Sequence, residues 1–185
     1  MADDESMADE FHHEVWTHEE TRTAVLKQEK FWTADCICRV GKGKTCKRGL
    51  HVCLGLEPDF VPADRNVTPV GREEVEKLLK FADEKRLVTR PFLGKDGSIV
   101  ASCFCCPCCC ALIATEGRNA HGPLVQNTDD AACDSCGLCV PACYFDARAI
   151  ESDKLKVHDE KCMGCGLCVD ACPLDAIKMV DRVPA

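Results

Sequence analysis

Aromatic residues are scarce in this chain. Its 185 residues include one Tyr, two Trp and seven Phe. The hydrophobic share is 46%, but 18 residues of that share are Cys. A conventional core is therefore thin, and a domain short of core needs disulfides or metal to hold it. No run of about 20 apolar residues occurs, so direct membrane insertion is not expected. The opening MADDESMADE is acidic and lacks the basic, apolar and twin-arginine features of export signals. The expected setting is a reducing cytoplasm, where disulfides are rare and crowded cysteines bind metal. Gly-rich phosphate loops, dinucleotide fingerprints and nucleophile–base patterns are also missing. These absences exclude a flavin or nicotinamide site and leave the chain without an expected activity of its own.

What is abundant is cysteine in a fixed order. Cys133, Cys136, Cys139 and Cys143 read Cys-x₂-Cys-x₂-Cys-x₃-Cys. Cys162, Cys165, Cys168 and Cys172 repeat the spacing 29 positions later, followed by Pro173. Around them Gly137, Leu138, Val140 and Ala142 recur as Gly166, Leu167, Val169 and Ala171, and Asp146-Ala147 recurs as Asp175-Ala176. Three thiolates within seven residues must turn toward one cluster. A glycine between the second and third lets the backbone bend and aims N–H groups at the sulfurs. Two zinc sites are the duller reading, but zinc motifs do not usually show four ligands in so compact an order.

Residues 129–185 thereby resemble a bacterial two-cluster ferredoxin. The resemblance implies two short β-hairpins and two short helices around two 4Fe-4S clusters within 129–181, one hairpin being Ala149–Glu151 with Leu155–His158. In this signature the fourth Cys ligates the other cluster. The expected sets are Cys133, Cys136, Cys139 and Cys172, and Cys162, Cys165, Cys168 and Cys143. One departure is Tyr144, which follows Cys143 where Pro is usual. The net charge is −8. Two oxidised clusters with their thiolates take it to about −12. Such a chain avoids nucleic acid and favours redox partners with a basic docking surface.

Residues 35–110 form a second Cys-rich unit, with Cys36, Cys38, Cys46 and Cys53 at one end and Cys103, Cys105, Cys106, Cys108, Cys109 and Cys110 at the other. All ten are candidate metal ligands. The unit resembles a module that precedes ferredoxins in electron carriers of anaerobes. Adjacent residues of an extended segment face opposite sides, so the later group could serve two sites, one per face. Ten thiols can hold two further iron–sulfur clusters, one cluster with a buried remainder, or an unusual multi-iron cluster. Structural zinc or free cysteines are the plainer readings. Arg39, Lys42, Lys44, Lys47 and Arg48 lie among the early thiols and could offset thiolate charge. The bland alternative is a solvated basic loop.

Between the two Cys groups, Val75, Leu78, Leu79 and Ala82 form one apolar face of a helix over about 72–85. Leu87–Phe92 and Ser98–Ser102 read as strands turning at Gly94, Asp96 and Gly97. Residues 1–34 begin acidic, with Asp3, Asp4, Glu5, Asp9 and Glu10. A Trp-bearing helix over Glu14–Trp32 follows as a candidate docking element. His12, His13 and His18 read as a solvated cluster rather than a metal site. Residues 111–128, with Gly117, Asn119, Gly122, Pro123 and Asn127, read as a linker.

The expected fold is α+β, a small ferredoxin-like domain behind an irregular Cys-rich module with one helix. The expected function is that of a polyferredoxin-type subunit relaying single electrons within a larger anaerobic oxidoreductase complex. The alternative is a redox enzyme or activator whose N-terminal module holds a reactive cluster fed by the ferredoxin unit. A cluster-assembly scaffold is a third reading, and ligands that cross between the two halves argue against it.

Overall fold

A computed structural model describes residues 12–43, 46–56, 66–110, 113 and 121–183. The acidic start through Glu10, Lys44, Gly117 and Asn119 lie outside the described residues. The fold is α+β, as the composition and patterning lead one to expect. Among the described residues the N-terminal part is built on a six-stranded antiparallel sheet in the order β1-β5-β6-β3-β2-β4. Its strands are β1 (His12–His13), β2 (Phe31–Ala34), β3 (Cys53–Gly55), β4 (Thr68–Val70), β5 (Val88–Leu93) and β6 (Ile99–Cys105). The module is thus more regular than its cysteine content suggests.

β5 and β6 are a hairpin of β-branched and apolar residues. Gly97 at φ +79° closes its turn, and the Asp96 carboxylate accepts from both the N–H and the hydroxyl of Ser98. Helix α3 (Arg72–Glu84) places Val75, Leu79 and Ala82 in the core, with Glu73 and Glu74 at its positive end. Its stripe packs with Val25, Phe31, Leu54, Leu87 and Phe104. Burying such side chains contributes about 1.5–3 kcal/mol each. The short helix α2 (Ile37–Gly41) carries Cys38 and the buried Arg39.

Helix α1 (His18–Val25) is shorter than the Glu14–Trp32 segment anticipated. Thr17 caps it in a capping box with Glu20, while Phe31 and Trp32 belong to β2. Its Thr21 hydroxyl meets Thr89 of β5 at 2.9 Å, and Val25 is fully buried. The helix therefore docks on its own chain. Trp32 faces Gly55 across the sheet, and a Cβ at Gly55 would run into the indole ring.

The C-terminal unit contains β7 (Leu124–Thr128), β8 (Arg148–Glu151), β9 (Lys154–Val157) and β10 (Ile177–Asp181). β8 and β9 form the expected hairpin, turning on Ser152 and Asp153 with positive φ. The second two-stranded sheet pairs β7 with β10, from opposite ends of the unit. The 29-residue repeat holds in the register itself: Arg148 opposes Val157, and Ile177 opposes Thr128. Left-handed backbone recurs at the same offset, at Ser135 and Gly164, Gly137 and Gly166, Asp146 and Asp175. Where two short helices were anticipated the chain makes successive turns, closed by Cys143 N–H to Val140 and Cys172 N–H to Val169, each at 3.0 Å.

The two units meet over one apolar cluster that includes Val15, Val88, Cys105 and Cys110 from one side and Met163, Leu167 and Cys165 from the other. Tyr144 belongs to this contact. Its hydroxyl accepts from Arg48 at 3.4 Å, and the Arg48 guanidinium lies 5.8 Å from the ring centroid. The departure from Pro at this position thus serves the junction with the N-terminal module. Arg86 donates to the Leu167 carbonyl at 3.4 Å, and Gly122 N–H donates to Met163 O at 3.1 Å.

Candidate metal centres

In the C-terminal unit the turns at Gly137 and Gly166 bend the backbone between the second and third cysteines of each motif, as the spacing demands. Both have φ +76°. Of the thiols so gathered, Cys139, Cys162 and Cys168 are buried, Cys133, Cys143, Cys165 and Cys172 are half-buried, and Cys136 is exposed. Burial pushes the Cys165 thiol up to about 12, with the neighbouring Cys168, Cys143 and Cys162 adding to it. Burial likewise pushes Cys168 up to about 11, and there Cys162 and Cys143 again act as neighbours while Arg148 opposes the shift. Cys143 thus stands with the first three cysteines of the other motif. Cys139 shares a packed cluster with Cys168 and Ile177, against which Cys172 packs. The raised Cys165 and Cys168 stay protonated until a cation takes up their charge, which suits a metal-binding set.

Arg148 is the functional residue that the sequence did not announce. It is 4% exposed and lies between the two motifs. Its Nη1 points at Cys139 Sγ at 3.5 Å, and Nη2 donates to Thr128 Oγ1 at 3.2 Å and to the Gln126 carboxamide. Burial opposes its charge, but the neighbouring Cys168 and Cys139 outweigh this and raise its affinity for the proton. Its repeat-equivalent is the apolar Ile177, so the two halves differ in charge at matched positions. A buried arginine in a short strand has no sequence pattern that would single it out.

The ten N-terminal cysteines divide between two places. Cys46, Cys106, Cys108 and Cys109 gather with all four sulfurs within 4.8 Å of one another. Arg39 reaches in with Nη2 3.5 Å from Cys106 Sγ, held in place by the carbonyls of Arg48 and Phe104 at 2.9 and 3.0 Å. Arg39, one of the basic residues among the early cysteines, thus touches a thiol.

The remaining six lie around the other face of β6. A cavity of about 140 Å³ is lined by Cys36, Cys38, Cys103, Cys105 and Cys110, with Arg90 and His13, and it reaches Cys106 and Cys109 of the first group. Their thiols are linked in sequence. Cys38 hydrogen-bonds Cys36, which with help from Arg39 lowers Cys36 to about 6, and also Cys110, which raises Cys38. Cys105 is lowered by Cys103, but its hydrogen bond to Cys110 and burial outweigh this and push it up to about 12. Cys103 continues the chain to Cys53. Arg90 is 1% exposed, and its Nε and Nη2 have no hydrogen-bond partner among the described residues. Two unpartnered nitrogens on a buried guanidinium are costly, and they mark a space suited to an anionic occupant. Cys105 lies in the apolar cluster at the junction and Cys106 in the core of the N-terminal sheet, while both line the cavity. Cys108 and Cys109, by contrast, share one site, because the segment turns there: Cys109 and Cys110 N–H both return to the Cys106 carbonyl.

Among the described residues no helix is long and apolar enough to cross a membrane. No curated protein matches the chain. The family model described as a 4Fe-4S dicluster domain matches residues 126–179, the span that holds both four-cysteine motifs, and it supports an iron–sulfur electron-transfer role for that unit.

Proposed function

We propose that the chain is a polyferredoxin-type electron carrier, with a two-cluster ferredoxin unit behind a module that holds at least one further iron–sulfur cluster. The observation that carries this reading is Cys143 standing with Cys162, Cys165 and Cys168 across the repeat. It fits the crossed ligand sets of a two-cluster ferredoxin, Cys133, Cys136, Cys139 and Cys172 for one cluster and Cys162, Cys165, Cys168 and Cys143 for the other. When bound, such clusters supply one-electron chemistry. The protein's part is to hold them, exclude water and set their potential. The cavity around Cys36, Cys38, Cys103, Cys105 and Cys110 is the place for the further cluster, with Arg90 offsetting its negative charge. Its Cys105 and Cys110 share an apolar cluster with Cys165, which supports a relay between the two units. The net charge of −8 favours redox partners with a basic docking face, in a larger cytoplasmic oxidoreductase complex of an anaerobe.

The test is iron and acid-labile sulfide per chain, on protein purified without oxygen. Three four-iron clusters give about twelve sulfides. Cys143→Ala should lower that count by about four or leave a three-iron signal. An unchanged count would sink the crossed assignment, and a total of about eight in the unaltered protein would empty the N-terminal cavity of its cluster.

A further inference from the structure

We infer that Cys46, Cys106, Cys108 and Cys109 bind a single tetrahedral zinc ion, separate in kind from the iron–sulfur clusters. The argument is one of size. Cys46 Sγ lies 3.7 Å from Cys106 Sγ and 3.9 Å from Cys108 Sγ; Cys106 to Cys108 is 3.4 Å and Cys108 to Cys109 is 3.7 Å. A tetrahedral zinc with Zn–S bonds of about 2.3 Å sets its four sulfurs about 3.8 Å apart. In a four-iron cube each thiolate binds a different iron, and the sulfurs stand roughly 6 Å apart. The tetrad leaves no room for a cube. Among the described residues no other set of thiols is gathered this tightly.

The local chain explains why these four meet. Pro107 sits in the turn that brings Cys106, Cys108 and Cys109 round to one side, while Cys46 arrives from the loop after α2. Four thiolates around a divalent ion leave a net charge of −2. Arg39, buried and aimed at Cys106, offsets part of it, as a hydrogen-bonding partner behind a metal ligand should. The ion ties the loop after α2 to the end of β6, 60 residues away in sequence. It therefore acts as a structural staple on the module, with no open position for a substrate.

Full-length protein from zinc-supplemented cells, purified without oxygen, should carry about one zinc per chain. Its zinc X-ray absorption should show a shell of four sulfurs and no iron neighbour. Cys46→Ser and Cys108→Ser should each lose the zinc while acid-labile sulfide stays at the unaltered value. The zinc spectrum of the unaltered protein stands whether or not the variants fold. Bound zinc with iron nearby, no bound zinc, or a loss of about four sulfides in either soluble variant overturns the inference. The sulfide of the ferredoxin unit is counted in the same sample, so failure here and failure of the electron-carrier reading are told apart.

Discussion

Three buried arginines do the electrostatic work that the acidic surface cannot. Arg39 faces Cys106, Arg90 faces the cavity beside Cys105, and Arg148 stands between Cys139 and Cys168. Each places a fixed positive charge where thiolates and clusters place negative ones. Arg148 allows a direct prediction. Reduction adds an electron to a cluster, and a nearby cation stabilises that state, so Arg148→Met should lower the potential of the ferredoxin clusters. At an effective dielectric of about 20 and a separation of roughly 4–8 Å, the interaction is about 2–4 kcal/mol, a one-electron shift on the order of 100–200 mV. A redox titration followed by electron paramagnetic resonance measures it. A shift to higher potential, or none, would remove Arg148 from this role. Met preserves the bulk of the side chain, and the sulfide content of the variant reports whether the clusters remain.

The elements show which parts of such a chain can be read in advance. Helix α3, the β5–β6 hairpin and the β8–β9 hairpin follow from neighbours in sequence: an apolar stripe, a Gly-rich turn, a repeat. They were legible for that reason. The six-stranded sheet was not, because β1, β2, β3 and β4 are two to four residues long and find partners far along the chain. The Phe31-Trp32 pair reads as a helix end by composition and becomes a strand because Trp32 covers Gly55. The 4Fe-4S dicluster match falls on the span that holds the eight ferredoxin-type cysteines, and these were singled out by their spacing. The tetrad was not, since Cys46 joins a group 60 residues later and adjacent Cys108 and Cys109 share a side only because the chain turns. The segment entering β7 carries its own test. A Cβ at Gly122 would overlap the carbonyl oxygen of Val15, so Gly122→Ala should destabilise the holoprotein by about 1–3 kcal/mol. Gly41→Ala, where a Cβ meets nothing within 4 Å, is the control. Equal denaturation midpoints for the two variants would show that the Gly122 crossing is not a tight contact.

At the scale of the whole molecule, the two units rest on different forces. The N-terminal sheet has a continuous apolar core of Val25, Phe31, Leu54, Val75, Leu79, Leu87 and Phe104. The C-terminal unit has little besides its cysteines: Ile177 packs with Cys139 and Cys168, with Leu155, Val169 and Cys172 around them. Burial and mutual proximity push Cys165 and Cys168 up, so the thiolate form that binds metal is disfavoured there until a cation is present. On the crossed ligand sets proposed above, metal binding there would be folding free energy for both halves of the repeat at once. Stripping iron with a chelator under anaerobic conditions should release β7, β8, β9 and β10 together. The amides of β5 and β6 should stay protected, although the turn carrying Cys106, Cys108 and Cys109 loosens as zinc leaves. Hydrogen exchange before and after chelation measures this. Persistent protection in β8 and β9 would mean that the hairpins fold without clusters. Simultaneous loss in β5 and β6 would mean that the apolar junction through Cys105, Cys110 and Leu167 makes the chain one cooperative unit, with the clusters holding the sheet as well as the ferredoxin fold.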